Sequence, residues 1–65
     1  MSFKQKTGEK FRKLRVEKGL TQEFVARKTG ISRPSYISVE KGTKDLKLKE
    51  AKNLAELFEI DLNDI

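Results

Sequence analysis

The chain has no cysteine and no histidine, and a single proline among its 65 residues. Without cysteine there can be no disulfide and no thiolate metal site, a usage compatible with the cytosol. Without histidine most transition-metal sites and the commonest general base are excluded. No apolar run approaches the roughly 20 residues a membrane span requires, and the amino terminus lacks the apolar core of a signal peptide. No glycine-rich phosphate loop is present, and no carboxylate pair falls where a cleft would form. So short a chain has little room for a catalytic pocket. The composition therefore speaks against an enzyme, calls for no cofactor or metal, and gives a cytoplasmic protein with no membrane association as the expectation.

The charge that is present is uneven. The net value is +5, but residues 1–20 carry seven Lys/Arg against two acids and residues 21–42 four against two, whereas residues 43–65 carry four against six. The first two thirds is thus +7 and the remainder −2. A one-sided basic field suits a polyanionic partner. The competing reading is that the charge only keeps a small protein in solution.

The chain is organised around residues 21–42, TQEFVARKTGISRPSYISVEKG. Thr21 and Ser32 have the side chains of helix N-caps, and each follows an apolar residue able to form a hydrophobic staple, Leu20 with Val25 and Ile31 with Tyr36. Helices are predicted over about Gln22 to Thr29 and Arg33 to Lys41. Gly30 supplies the positive φ that the sharp exit from the first requires. Two capped helices this close read as a helix-turn-helix. Val25, Thr29, Tyr36 and Val39 face inward, and Ala26 is small enough for another helix to cross closely. Arg33, Pro34, Ser35, Ile37 and Ser38 are left mostly outside, without the Glu/Lys mixture of an ordinary solvated helix.

Around this unit, residues 1–6 form a flexible arm and residues 7–65 the domain. A first helix is predicted from a Thr7 cap to about Lys18, with Phe11 and Leu14 inward and Lys10, Arg12 and Lys13 outward; Phe3, ahead of it, is a candidate to fold back. Arg15 falls one turn past Phe11, on the side of the core, and Glu40 is adjacent to Val39 near the same region. They are candidates for a forked ion pair, the alternative being two solvated charges. A polar loop follows Gly42, anchored by Leu46. A fourth helix is expected over about Lys49 to Phe58, led in by Leu48, with Ala51, Leu54, Ala55, Leu57 and Phe58 as its apolar stripe and Asn53 outward. Ile60 returns to the core, and Asp61 caps a last short turn from Leu62 to Ile65. That gives five helices, no strand and no internal repeat. The apolar edge of Leu62 and Ile65, with Phe58 and Ile60 nearby, either closes the core or meets a second subunit.

Several of these pieces carry a resemblance: Leu14–Arg15, GLTQEFVARKTGIS, Tyr36-x-x-Val39-Glu40-Lys41-Gly42, and the tail LKLKEAKNLAELFEIDLNDI. Together they resemble the phage Cro/repressor type of helix-turn-helix domain, the XRE family, from about Gly8 to Ile65. The resemblance implies an all-α, compact five-helix repressor-like domain that binds double-stranded DNA. It implies that Gln22 binds a phosphate, that Arg33, Pro34, Ser35 and Ser38 face the major groove, that Arg15 and Glu40 form a structural ion pair, and that the region of Lys41 and Lys44 grips the DNA backbone. It further implies homodimers on twofold-symmetric operators, joined through the last helices. Tyr36 departs from the small aliphatic residue usual in its slot, and Ile37 from a small polar one. Ile37 could pack over a thymine methyl or extend the hydrophobic rim.

The reading that results is a sequence-specific transcriptional regulator, a repressor acting by occupancy. Arg33, Pro34, Ser35, Ile37 and Ser38 are its base-reading candidates, and Gln22, Lys41, Lys44, Lys10 and Lys13 its phosphate candidates. Phe58, Ile60, Leu62 and Ile65 are the candidate dimer interface. Two alternatives share the fold: the DNA-binding antitoxin of a toxin–antitoxin pair, with a small protein partner, and a protein-binding adaptor.

Overall fold

Local chemistry sets the two central helices. In a computed structural model describing residues 3–64, and the side chains of residues 5–63, α2 runs Gln22–Thr29 and α3 runs Arg33–Lys41. The N–H of Phe24 donates to Thr21 Oγ1 at 3.0 Å and that of Ser35 to Ser32 Oγ at 3.3 Å, so each cap takes up one free N–H of the first turn. Gly30, in the left-handed region at φ 73°, turns the chain out of α2, and the N–H of Ile31 closes back on Ala26 O at 3.0 Å. Both helices coincide with the residues the caps mark out.

The flanking helices differ from expectation. α1 spans Phe3–Glu17, starting four residues before the expected Thr7 cap. Thr7 is instead buried within it. The cause is tertiary: the early part of α1 lies against the carbonyl end of α3. An added Cβ on Gly8 would stand 2.3 Å from Val39 O and 2.7 Å from Glu40 O. Gln5 packs on Gly42, where such an atom would lie 2.8 Å from Gln5 Cα. α4 spans Leu48–Phe58, and its first residue Leu48 is 68% exposed.

The described residues form four α-helices rather than five. The last element is a 3-10 turn, Leu62–Asp64. Asp61 accepts the N–H of Asn63 at 2.9 Å, an i to i+2 closure that holds a tight turn instead of opening an α-helix. Ile65 lies outside the described residues, as does the side chain of Phe3. None of the described helices is long and apolar enough to cross a membrane.

α1 and α2 both pack on α3, and α4 closes the other side of α2. The core is Phe11, Val25, Ala26, Ile31, Tyr36, Val39, Leu54 and Phe58, with Leu14, Leu20, Leu46, Leu57 and Ile60 packed around it. The Phe11 and Phe58 rings stack with centroids 5.8 Å apart, joining the first helix to the last. Asn53, expected outward, is half-buried and donates from Nδ2 to Thr29 O at 3.1 Å, fastening α4 to the end of α2.

Candidate nucleic-acid interface

α3 presents two unlike faces. Tyr36, Val39 and Glu40 are buried, whereas Arg33, Pro34 and Lys41 are exposed and Ser35, Ile37 and Ser38 half-exposed. At 100° per residue, Pro34, Ile37, Ser38 and Lys41 fall on one outward strip spaced i, i+3, i+4 and i+7. Arg33 and Ser35 sit with them at the amino-terminal end. The candidate base-reading residues therefore share one surface.

Behind this surface lies a polar cluster inside the domain. Arg15 Nε donates to Glu40 Oε2 at 2.7 Å and Nη2 to Oε1 at 3.2 Å, a forked pair between α1 and α3. The two side chains are 15% and 3% exposed. Arg15 Nη1 donates to Leu20 O at 2.9 Å, holding the turn that leads into α2. Gln22 Nε2 donates to Glu40 Oε1 at 3.1 Å. An ionised carboxylate only accepts, so the amide nitrogen must be the atom turned towards it. One carboxylate thus fixes α1, the α1–α2 turn, the start of α2 and the back of α3. Burial alone would raise the Glu40 pKa, but the hydrogen bonds from Arg15, the nearby Tyr36 hydroxyl and the hydrogen bond from Gln22 together outweigh it and hold the carboxyl below its ordinary value. The hydrogen bond to Glu40 raises the pKa of Arg15.

Tyr36 lies against this cluster and is fully buried. Burial raises its pKa, and its hydroxyl is close enough to Glu40 and Arg15 to feel both charges. No described residue meets that hydroxyl in hydrogen-bonding geometry. A buried hydroxyl left unpaired costs about 1–3 kcal/mol. Tyr36→Phe is therefore expected to leave stability unchanged or raise it by about 1 kcal/mol, measured by urea unfolding. A loss of about 1 kcal/mol or more would mean that the hydroxyl is bonded in solution.

Gln22 is half-buried at the start of α2, with its first-turn N–H groups beside it. The N–H groups of Phe24 and Val25 are taken by Thr21 Oγ1 and Thr21 O. Those of Gln22 and Glu23 precede any intrahelical acceptor, where backbone donors and the helix dipole favour an anion.

The candidate phosphate-binding lysines are not gathered in one place. Lys41 is exposed at the end of α3. Lys44 is held by Glu50, Nζ to Oε2 at 3.1 Å, and Glu50 also accepts the Lys47 N–H at 3.0 Å. Lys10 and Lys13 lie about 140–160° around α1 from Gly8 and Arg15, the residues that meet α3. Lys13 lines a shallow groove on that far side with Glu9, Arg12, Val16 and Glu17. The interface candidates at the other end divide as well. Phe58 is 2% exposed and belongs to the core rather than to a dimer surface. Ile60 packs against the core, and Leu62 is half-buried.

The sequence reading missed the link from Gln22 to Glu40 and the role of Gly8. Neither has a local signal: one joins residues 18 apart, and the other depends on how two helices cross. Phe24 was likewise passed over. It is half-buried, with the guanidinium of Arg27 5.9 Å and the ammonium of Lys28 5.6 Å from its ring centroid. The i, i+3 and i, i+4 spacings of these three residues are legible in the sequence.

Comparison with known proteins agrees with this geometry. The family described as helix-turn-helix matches residues 11–65. The cryptic phage CTXphi transcriptional repressor RstR of Vibrio cholerae is 38% identical over 56 residues, covering 86% of this chain and 50% of that protein. An uncharacterised HTH-type transcriptional regulator of Methanocaldococcus jannaschii is 41% identical over 56 residues, covering 86% and 85%. The chain thus spans about half the length of the phage relative and most of the archaeal one. The crystal structure of the restriction-modification controller protein C.AhdI from Aeromonas hydrophila superposes with a TM-score of 0.87 at 33% identity, over 94% of this chain and 92% of that one.

Proposed function

Because the chain belongs to the helix-turn-helix family, we propose that it is a cytoplasmic, sequence-specific, double-stranded DNA-binding transcriptional regulator, a repressor that acts as a homodimer on a palindromic operator. The observation that carries this reading is the shared outward face of α3, set beside an α2 amino terminus whose Gln22 is anchored from behind by Glu40. α3 lies in the major groove with its amino-terminal part against the base edges. The Arg33 guanidinium takes guanine O6 and N7 together, worth about 1–3 kcal/mol of discrimination. Gln22, with its second amide N–H and the free backbone N–H groups of the first turn, holds a phosphate and so fixes the aim of α3. Lys41 adds salt-dependent affinity without sequence preference. Lys44 does the same to the extent that a phosphate displaces Glu50.

One copy offers few base-reading groups, so specificity calls for two copies about one helical turn of DNA apart. The dimer contact falls on Ile60, Leu62 and Ile65, now without Phe58. Occupying a promoter in this way blocks it.

The test is selection of bound duplexes from a random pool at near-physiological salt, with Arg33→Ala beside the wild type. The expected result is a palindrome that loses one base preference in the variant, with about 1–3 kcal/mol of discrimination lost there. Failure to enrich any sequence, with affinity vanishing as salt rises, would remove the regulator reading and leave only the protein-binding alternatives. Sedimentation of the protein with the selected duplex then counts the copies bound.

A further inference from the structure

The outward face of α3 holds two side chains that cannot hydrogen-bond at all. Pro34 is exposed and Ile37 half-exposed, and the latter lies outside both the core cluster and the apolar side chains packed on it. Pro34 and Ile37 are three apart, so they stand on adjacent turns of the same strip, about 60° apart around the axis. Ser35 and Ser38 flank them on one side, and Arg33 and Lys41 stand at the two ends. An apolar step is thus set within a polar and cationic face.

If that face enters the major groove, the step must meet something. Most of what a base edge offers there is polar: N7 and O6 of guanine, N7 and N6 of adenine, N4 of cytosine, O4 of thymine. Pressed against any of these, Pro34 and Ile37 would strip off water and return no hydrogen bond, which is unfavourable. The one apolar group on those edges is the 5-methyl of thymine, and 5-methylcytosine carries the same group at the same place. Neither side chain can read a base by hydrogen bonding, since proline lacks an N–H and isoleucine has no polar side-chain atom.

We propose that Pro34 and Ile37 form a methyl-reading step, so that this chain recognises a 5-methylpyrimidine in each half-site and its affinity responds to cytosine methylation there. This rests on the reading of α3 as the groove-binding helix, and it makes part of the readout hydrophobic instead of hydrogen-bonded. It also divides the work on the helix: Arg33 reads a guanine by charge and hydrogen bond, and the step behind it reads a methyl by exclusion of water.

The test begins from the selected duplex. Each thymine of a half-site is replaced in turn by deoxyuridine, which removes only the methyl group, and affinity is measured for wild type, Ile37→Ala and Pro34→Ala. At one or two positions wild-type binding should weaken about fourfold per methyl, the value of burying one such group. One of the two variants should bind the thymine duplex more weakly and be indifferent to that replacement. Placing cytosine and then 5-methylcytosine at the same position, opposite guanine, separates the two sources of the group. Methylation should tighten wild-type binding by a similar factor. Full affinity for every uracil duplex would overturn the proposal while leaving sequence-specific DNA binding intact. A uracil penalty that both variants share in full would overturn it too, by placing the methyl contact elsewhere. Failure to select any sequence would instead remove the DNA reading on which the proposal stands. The uracil series needs no change in the protein, so misfolding of a variant cannot mask the outcome.

Discussion

Glu40→Ala should lower the unfolding free energy by about 3–5 kcal/mol, the usual loss when one partner of a buried ion pair is removed. At roughly 0.05–0.15 kcal/mol per residue, a chain of 65 residues has only about 3–10 kcal/mol in all. The variant should therefore lose from about a third to all of its stability, read as a much lower urea midpoint by circular dichroism. The reason is geometric. Arg15, 15% exposed, would keep its bond to Leu20 O and lose both bonds to the carboxylate. Gln22 would lose its bond as well. A loss under about 1 kcal/mol would show that the pair is effectively a surface one. Joint replacement separates stability from function. Arg15→Met with Glu40→Met fills the space with apolar groups of similar size and should recover most of the stability. DNA affinity should stay reduced, because nothing then orients Gln22. If affinity returned with stability, the proposed part of Gln22 in binding would be wrong.

The same carboxylate gives an acid limb to the stability curve. Its pKa is held below the ordinary 4.5 in the folded protein. The contribution is thus complete above the unfolded value and is lost as pH falls through the lower folded one. Glu50 is shifted the same way, chiefly by the Lys47 N–H that it accepts. The gap in stability between wild type and Glu40→Gln, followed by thermal unfolding from pH 7 downwards, should narrow below about 4.5. A gap that stayed constant would mean that Glu40 is not the titrating group.

The second large effect is expected at Gly8. Within a helix, alanine is ordinarily better than glycine by about 1 kcal/mol, so propensity alone gives Gly8→Ala a gain. Packing gives the opposite sign. The new methyl would stand 2.3 Å from Val39 O and 2.7 Å from Glu40 O. Both are backbone atoms, so no rotamer change relieves the overlap and α1 must back away from α3. Overpacking of this kind costs about 3 kcal/mol at the upper end of its usual range. The net loss should be about 2 kcal/mol, or roughly 8–16 °C in Tm for a domain of this size. A Tm equal to or above that of wild type would show that the two helices do not cross as closely as described. The displacement also carries Arg15 away from Glu40, so DNA affinity should fall with stability.

These two residues were not equally visible in the sequence. Arg15 and Glu40 were legible as a possible pair because Arg15 falls one turn past Phe11 and Glu40 stands next to Val39 near the same region, and a charge in that position wants a partner. Gly8 was not, because a glycine early in a helix reads as a defect until the backbone of another helix is seen against it. The same reason explains the early start of α1. Residues 3–7 have no strong helical pattern of their own, and the close approach of Gln5 to Gly42 and of Gly8 to the carbonyl end of α3 supplies what propensity does not. Phe58 was legible as apolar but not as core rather than interface. Its ring meets that of Phe11, 47 residues away in the chain, and periodicity places a residue on a face without naming what covers the face. The count of five helices failed at Leu62–Asp64, where a short polar closure by Asp61 holds the chain in a 3-10 turn.

By itself the sequence determined the helix-turn-helix. Thr21 and Ser32 accept N–H groups three residues on, and Gly30 and Gly42 turn the chain where an L-residue would be strained, all within the reach of one or two turns. Interactions that short depend on the order of residues and little else. The tertiary structure alone decided how that unit is held. The close crossing at Gly8, the bond from Gln22 to Glu40, the unpaired hydroxyl of Tyr36 and the burial of Phe58 all join segments that only the folded core brings together. The outward strip of α3 belongs to both. Its spacing is written in the sequence, and its exposure follows from α1 and α2, which pack on the opposite face of α3.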